Sequence, residues 1–203
     1  MHHFYQEGKY EDGPVFLLLH GTGGSEKDLL PIASMIDEHA SVLGVKGNVS
    51  ENGMARFFRR IREGVFDEED LIERTAELHA FLDEAAEKYR FDRSKIVAVG
   101  YSNGANIAAS LLFHYETSLN SAILFHPMVP RRGIELPDLA GTPIFIGAGT
   151  NDPIINSKET EELAQTLTAA NASVDLHWDN MGHQLSENEV LQAKSWYSEH
   201  IKQ

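Results

Sequence analysis

Six short apolar runs, separated by longer amphipathic stretches, restrict the possible folds more than any other feature of the chain. They are "VFLLLH" (15–20), "SVLGV" (41–45), "IVAVGY" (96–101), "SAILFHP" (121–127), "PIFIGAG" (143–149) and "VDLHW" (174–178). Most are continuous rather than alternating, the pattern of strands covered on both faces of a parallel sheet. An earlier strand is expected within residues 3–9. Helices are predicted over 26–38, 67–90, 103–115, 157–170 and 186–201. In 67–90, Leu71, Thr75, Leu78, Leu82, Ala85 and Tyr89 recur in steps of three and four, one face of a helix. The acidic run Asp67–Asp70 opens that helix, where negative charge suits the dipole, and reads as a solvated helix start rather than a metal site. Strand–helix alternation predicts an α/β protein, a doubly wound and mostly parallel sheet flanked by helices. One domain over residues 1–203 is expected.

The alternation lapses at 46–66, "KGNVSENGMARFFRRIREGVF". Turn formers are followed by two phenylalanines among four arginines, and no strand or long helix reads cleanly. A connection of this length in a compact domain is often functional. Met54, Phe57 and Phe58 are therefore candidates to line a pocket, and Arg56 or Arg59 to meet a polar substrate group. The alternative is a short helix that packs Phe57 and Phe58 into the core.

Composition removes several classes. The chain has 203 residues and no cysteine, which excludes disulfides, thiolate nucleophiles and Cys-ligated metals. The formal charge is −14, from 17 basic and 31 acidic residues. Such a chain repels nucleic acid and anionic membrane surfaces. No signal peptide and no membrane-spanning helix is read from the sequence, and a reducing cytoplasm fits the lack of cysteine. A small-molecule substrate is the expected partner, with a homodimer left open.

The chemistry is concentrated in "VAVGYSNGAN". Gly100-Tyr101-Ser102-Asn103-Gly104 matches G-x-S-x-G, a weak motif by itself. Here it follows an apolar run and precedes a helical stretch, the strand–turn–helix that lifts a nucleophilic serine above a sheet. A serine hydroxyl needs a base, and the base a carboxylate behind it. On such a fold they follow in the order Ser, Asp or Glu, His. Asp152, after the run 143–149, and His183, after the run 174–178, satisfy that order at strand ends. Gly182 would let the histidine loop approach closely. His114, His126, His177 and His200 are rival bases, and Asp175 and Asp179 rival carboxylates. His126 stands at a strand end and could border the site without being the base.

Acyl transfer also needs donors for the developing oxyanion. The N–H of Asn103 is one, and "HGTGG" (20–24) offers a second from Thr22, with Gly23 as the alternative. That loop lacks the spacing of a phosphate loop. His20 is expected to brace it. Met128 and Val129, just past a strand end, are further pocket candidates. No cofactor or metal is required.

With "HGTGGSEKDLLPIA", "VGYSNGANIAASLL", "LFHPMVP", "GTNDPII" and "GHQL" in place, the chain resembles the α/β-hydrolases over residues 14–198. It is most similar to the phospholipase/carboxylesterase group, small serine esterases that include acyl-protein thioesterases. "GYSNGAN" and "FHPMVP" look closest to bacterial carboxylesterases of the group, some of which accompany ring-cleaving dioxygenases that handle hydroquinones. The resemblance implies an α/β-hydrolase fold without a large cap domain. It also implies a Ser102–Asp152–His183 triad and oxyanion donors at Thr22 and Asn103. Asn103 replaces the glutamine usual in the thioesterase members, which tilts the expectation toward a serine carboxylesterase. A thioesterase or lysophospholipase is the alternative, and a non-catalytic binding protein a further one.

Overall fold

The structure, a computed structural model, describes residues 1–201. A seven-stranded sheet runs through its centre in the order β1-β3-β2-β8-β9-β10-β11. Its strands are β1 (His3–Gln6), β2 (Val15–Leu19), β3 (Ser41–Val45), β8 (Ile96–Tyr101), β9 (Ser121–Phe125), β10 (Pro143–Gly149) and β11 (Ser173–Asp179). Only the edge strand β1 pairs antiparallel, to β3; the other pairings are parallel. The six apolar runs all became strands. The five inner strands, β3, β2, β8, β9 and β10, are buried along nearly their whole length. That accounts for their continuous rather than alternating apolar character.

Helices cover both faces. One face packs against α2 (Glu68–Tyr89), α3 (Asn103–His114) and α4 (Ser157–Ala169), and the other against α1 (Leu30–Asp37) and α5 (Glu187–His200). Leu71, Thr75, Leu78, Leu82 and Ala85 form the buried stripe of α2. Its acidic start is only partly solvated. Asp67 caps the helix by accepting from Asp70 N–H at 3.2 Å. Asp70 is 1% exposed and accepts from Arg59 N–H at 2.6 Å, which ties the preceding segment to the helix.

That segment, residues 46–66, corrects an expectation. It holds two small hairpins, β4 (Val49–Glu51) with β5 (Met54–Arg56) and β6 (Arg60–Arg62) with β7 (Val65–Phe66), rather than a short helix. The first turns through Asn52 and Gly53, both at positive φ (51° and 82°), the backbone of a tight hairpin turn. The hairpins lie beside the C-terminal ends of the parallel strands, where open α/β sheets bind ligands. Among the described residues no helix is long and apolar enough to cross a membrane.

Candidate active site

Ser102 sits between β8 and α3 with φ 51° and ψ −112°, a conformation that non-glycine residues seldom adopt. Two contacts hold it there. Its N–H donates to Phe125 O at 2.9 Å, and its carbonyl accepts from Asn106 N–H at 2.9 Å. The flanking glycines are required by space. A Cβ on Gly100 would stand 2.7 Å from Ala105 Cα, and one on Gly104 would overlap the Leu19 carbonyl of β2.

Three side chains from separate loops converge on this turn. Ser102 Oγ lies 2.9 Å from His183 Nε2, and His183 Nδ1 lies 2.7 Å from Asp152 Oδ2. A carboxylate only accepts, so the proton of neutral His183 resides on Nδ1 and Nε2 accepts from the serine hydroxyl. Asp152 Oδ1 accepts from the N–H groups of Ile154 (2.8 Å) and Ile155 (3.0 Å). Burial favours protonation of Asp152, but the His183 hydrogen bond and these two amides outweigh it and hold its pKa below the ordinary carboxylate value. Tyr101 donates its hydroxyl to His183 O at 2.9 Å and so pins the histidine loop. The close approach of that loop depends on Gly149, where a Cβ would overlap Gly182 O; a Cβ on Gly182 itself would meet only ordinary contacts, the nearest Gln184 Oε1 at 3.6 Å.

The rival bases lie elsewhere, with one exception. His114 bonds to Ser110, His200 to Trp196 O, and His177 stacks on Phe145. Asp175 accepts from Trp196 and Asp179 from Ser186. His126 is the exception. Its Nδ1 is 3.1 Å from the same Asp152 Oδ2 that receives His183, and its Nε2 is 3.1 Å from Glu189 Oε1. The sequence reading placed His126 at the border of the site and did not register Glu189. One donor atom from each of His126, Asp152 and His183 falls within 4.8 Å of the others, the spacing of a metal site as well as of a relay. Both histidines aim Nδ1 at Asp152 within hydrogen-bond distance, so hydrogen bonds account for the cluster.

The two expected oxyanion donors share a cavity with the serine. Among the described residues neither Thr22 nor Asn103 has a partner for its N–H, and both residues line the cavity above Ser102. The alternative donor is otherwise engaged, since Gly23 N–H donates to Ala55 O at 2.8 Å. His20 braces the loop from beneath. It contacts Gly21 O through Nδ1 and accepts from Gly47 N–H at 3.0 Å through Nε2. Burial lowers its pKa, in keeping with a neutral ring that both donates and accepts.

The cavity measures about 360 Å³, and Met128, Asn106, Phe66, Ile155, Arg56 and Arg60 contribute to its wall. Three pocket candidates are corrected. Phe57 and Phe58 are 0% exposed and belong to the hydrophobic core, because the chain between the hairpins dips under the site. Val129 turns into the same core. Met54 is partly exposed beside Gly23, and Arg59 points outward to Asp67 and Asp70. Met128 does reach the cavity, held by its N–H to Asn106 Oδ1 at 2.7 Å.

Residues 48–194 match the dienelactone hydrolase family. The chain belongs to that family. MhqD of Bacillus subtilis (strain 168), a protein named as a hydrolase, is 58% identical over 201 residues, covering 99% of this chain and 100% of MhqD. The crystal structure of the Bacillus cereus carboxylesterase superimposes with a TM-score of 0.97 at 64% identity, covering 98% of this chain and 94% of that one. Acyl-protein thioesterase 1 of Candida albicans is 31% identical over 124 residues, 56% of this chain and 53% of the thioesterase. The fold is thus that of the α/β-hydrolases, and the chain is a hydrolase of the carboxylesterase and thioesterase type.

Proposed function

We propose that this hydrolase is a serine carboxylesterase that cleaves small to medium carboxylic esters through an acyl-enzyme. The hydrogen-bonded line from Ser102 through His183 to Asp152 carries the reading. Ser102 Oγ attacks the ester carbonyl while His183 Nε2 takes its proton. Asp152 keeps the imidazole in the accepting tautomer and stabilises the imidazolium. The N–H groups of Thr22 and Asn103 receive the oxyanion. His183 then returns the proton to the leaving alcohol. Water, activated by the same nitrogen, releases the acid and frees Ser102.

Cavity size supports the substrate range, since about 360 Å³ lies near the lower end for small-molecule sites. A second reading, thioester hydrolysis by the same residues, is favoured by the likeness to the Candida albicans thioesterase.

The test is turnover of p-nitrophenyl esters from acetate to octanoate, and of matched acyl thioesters, by wild type and Ser102→Ala. Wild type is expected to favour the short esters, and the variant to lose about 10³-fold or more. Equal slow rates for both proteins would overturn the reading. A preference for thioesters at equal acyl length would replace it with the second.

A further inference from the structure

His126 occupies an unusual position behind the catalytic line. It follows β9 at φ 53°, and its N–H donates to Gly147 O on β10 at 2.7 Å. Its side chain is 0% exposed. One ring nitrogen faces Asp152 Oδ2 at 3.1 Å, and the other faces Glu189 at 3.1 Å from Oε1 and 3.3 Å from Oε2. Glu189, on the first turn of α5, is also 0% exposed, and its Oε2 accepts from Ser186 N–H at 3.0 Å. Space for this carboxylate comes from Gly147, where a Cβ would stand 3.2 Å from Glu189 Oε1.

Donor counting sets the protonation state. Ionised carboxylates only accept, and a neutral imidazole has a single N–H. A neutral His126 would therefore direct a lone pair at one of two buried carboxylates. An imidazolium donates to both.

We propose that His126 is a positioning residue, a buried imidazolium that bridges Asp152 to Glu189 and anchors the carboxylate behind His183. The proposal rests on the Ser102–His183–Asp152 reading. Burial opposes a charge on His126, but the hydrogen bond and charge of Glu189, then those of Asp152, outweigh it and raise its pKa. The groups that face the ring are Asp152 from the loop after β10, Glu189 from α5, His183 at 5.2 Å between ring centroids, and Tyr101 of β8 at 6.0 Å. Asp179 lies one contact further out, bonded to the Ser186 hydroxyl.

The charges explain what such a bridge does. With His183 neutral, two carboxylates and one imidazolium leave a net charge of −1. When His183 takes the Ser102 proton the cluster becomes neutral, so charge is compensated in the step that needs it. Without the His126 charge, the two buried carboxylates would favour a proton on His183 and weaken it as a base. The bridge also occupies the remaining acceptor direction of Asp152 Oδ2, which fixes the plane of the carboxylate.

Two readouts test this. The first is the acid limb of the kcat/KM profile on the best p-nitrophenyl ester. His126→Asn, a residue compatible with positive φ, is expected to move that limb to higher pH by about half a unit or more. Glu189→Gln is expected to move it the opposite way. A lowered rate with both limbs unmoved would mean a merely structural role and would overturn the proposal. The second readout is ¹⁵N-histidine NMR of the Ser102→Ala protein, with the His126 signals assigned by their loss in His126→Asn or their displacement in Glu189→Gln. Both ring nitrogens of His126 are expected to stay protonated above about pH 6.5, where an ordinary histidine loses its proton, and the ring to titrate at lower pH in Glu189→Gln than in the parent. A single protonated nitrogen in the parent overturns the proposal, even if His126→Asn does not fold. This readout needs no turnover. Its failure is therefore distinct from failure of the esterase reading, which shows as activity surviving Ser102→Ala.

Discussion

Arg56 Nη1 donates to the Thr22 hydroxyl at 2.6 Å, joining the first hairpin to a loop that lines the same cavity as Ser102. Arg56 is 4% exposed, and its Nε also donates to Phe58 O at 3.2 Å. Burial first, then the Arg60 charge, lower its pKa, and Glu51 at 3.5 Å opposes them. Arg56→Met removes the tie and leaves the Thr22 loop to its own rigidity. One hydrogen bond from a charged donor contributes about 1.5–3 kcal/mol, so kcat is expected to fall about tenfold or more. Steady-state kinetics in wild-type and Thr22→Val backgrounds check it. The Arg56→Met penalty is expected to shrink in Thr22→Val, where the accepting hydroxyl is already gone, and equal penalties would refute the coupling.

A second tie acts on the histidine loop. Tyr101 follows Gly100 in the elbow, and its hydroxyl reaches His183 O. Burial, then the charges of Asp152 and Glu189, raise its pKa and keep it a phenol that donates. Tyr101→Phe leaves the ring contact with His183 but frees the carbonyl. With about 1 kcal/mol for a neutral hydrogen bond, kcat/KM is expected to drop about fivefold while the fold is kept. An unchanged kcat/KM in the ester assay would show that the loop needs no such tether.

The strands and the long helices were legible because each obeys one simple periodicity. Residues 96–101 and 143–149 are continuous apolar runs, and the strands have those same bounds. The hairpins were missed because strands of two or three residues with mixed polarity have no period to detect. The Asn52-Gly53 dipeptide was the available signal, since both residues accept positive φ. In the sequence Phe57 and Phe58 stay open between pocket wall and core because their loop borders the site, whereas burial depends on which way the backbone turns. Glu189 was invisible for another reason. Ser186-x-x-Glu189 is a capping box, observed as such, and that local role explains the glutamate fully. Nothing in the spacing indicates that the same carboxylate meets a histidine 63 residues earlier in the chain.

The elbow itself can be tested through its backbone. Gly104 opens α3 directly against the Leu19 carbonyl, and β2 cannot retreat because it is paired to β3 and β8 along its length. Gly104→Ala must displace the helix start, and with it the Asn103 N–H. Overpacking of this kind costs about 1–3 kcal/mol, which lowers Tm by several degrees in a domain this size. Thermal unfolding and kcat are expected to fall together. A variant that kept wild-type Tm and activity would contradict the close approach of α3 to β2.

Stability should depend on pH through the cluster of His126, Asp152 and Glu189. The pKa of His126 is raised in the folded state, so its charge stabilises the fold fully below the unfolded histidine value of about 6.5. That contribution declines as pH rises and is gone above the folded value. Asp152 acts in the opposite sense, since its folded pKa is depressed. Its contribution is present above about pH 3.9 and is lost as pH falls through the folded value. Urea unfolding of wild type and His126→Asn across the neutral and alkaline range isolates the histidine part. The stability difference between them is expected to be widest near pH 6 and to narrow steadily toward the alkaline end. A difference that failed to narrow with pH would mean that His126 holds no extra proton in the folded state.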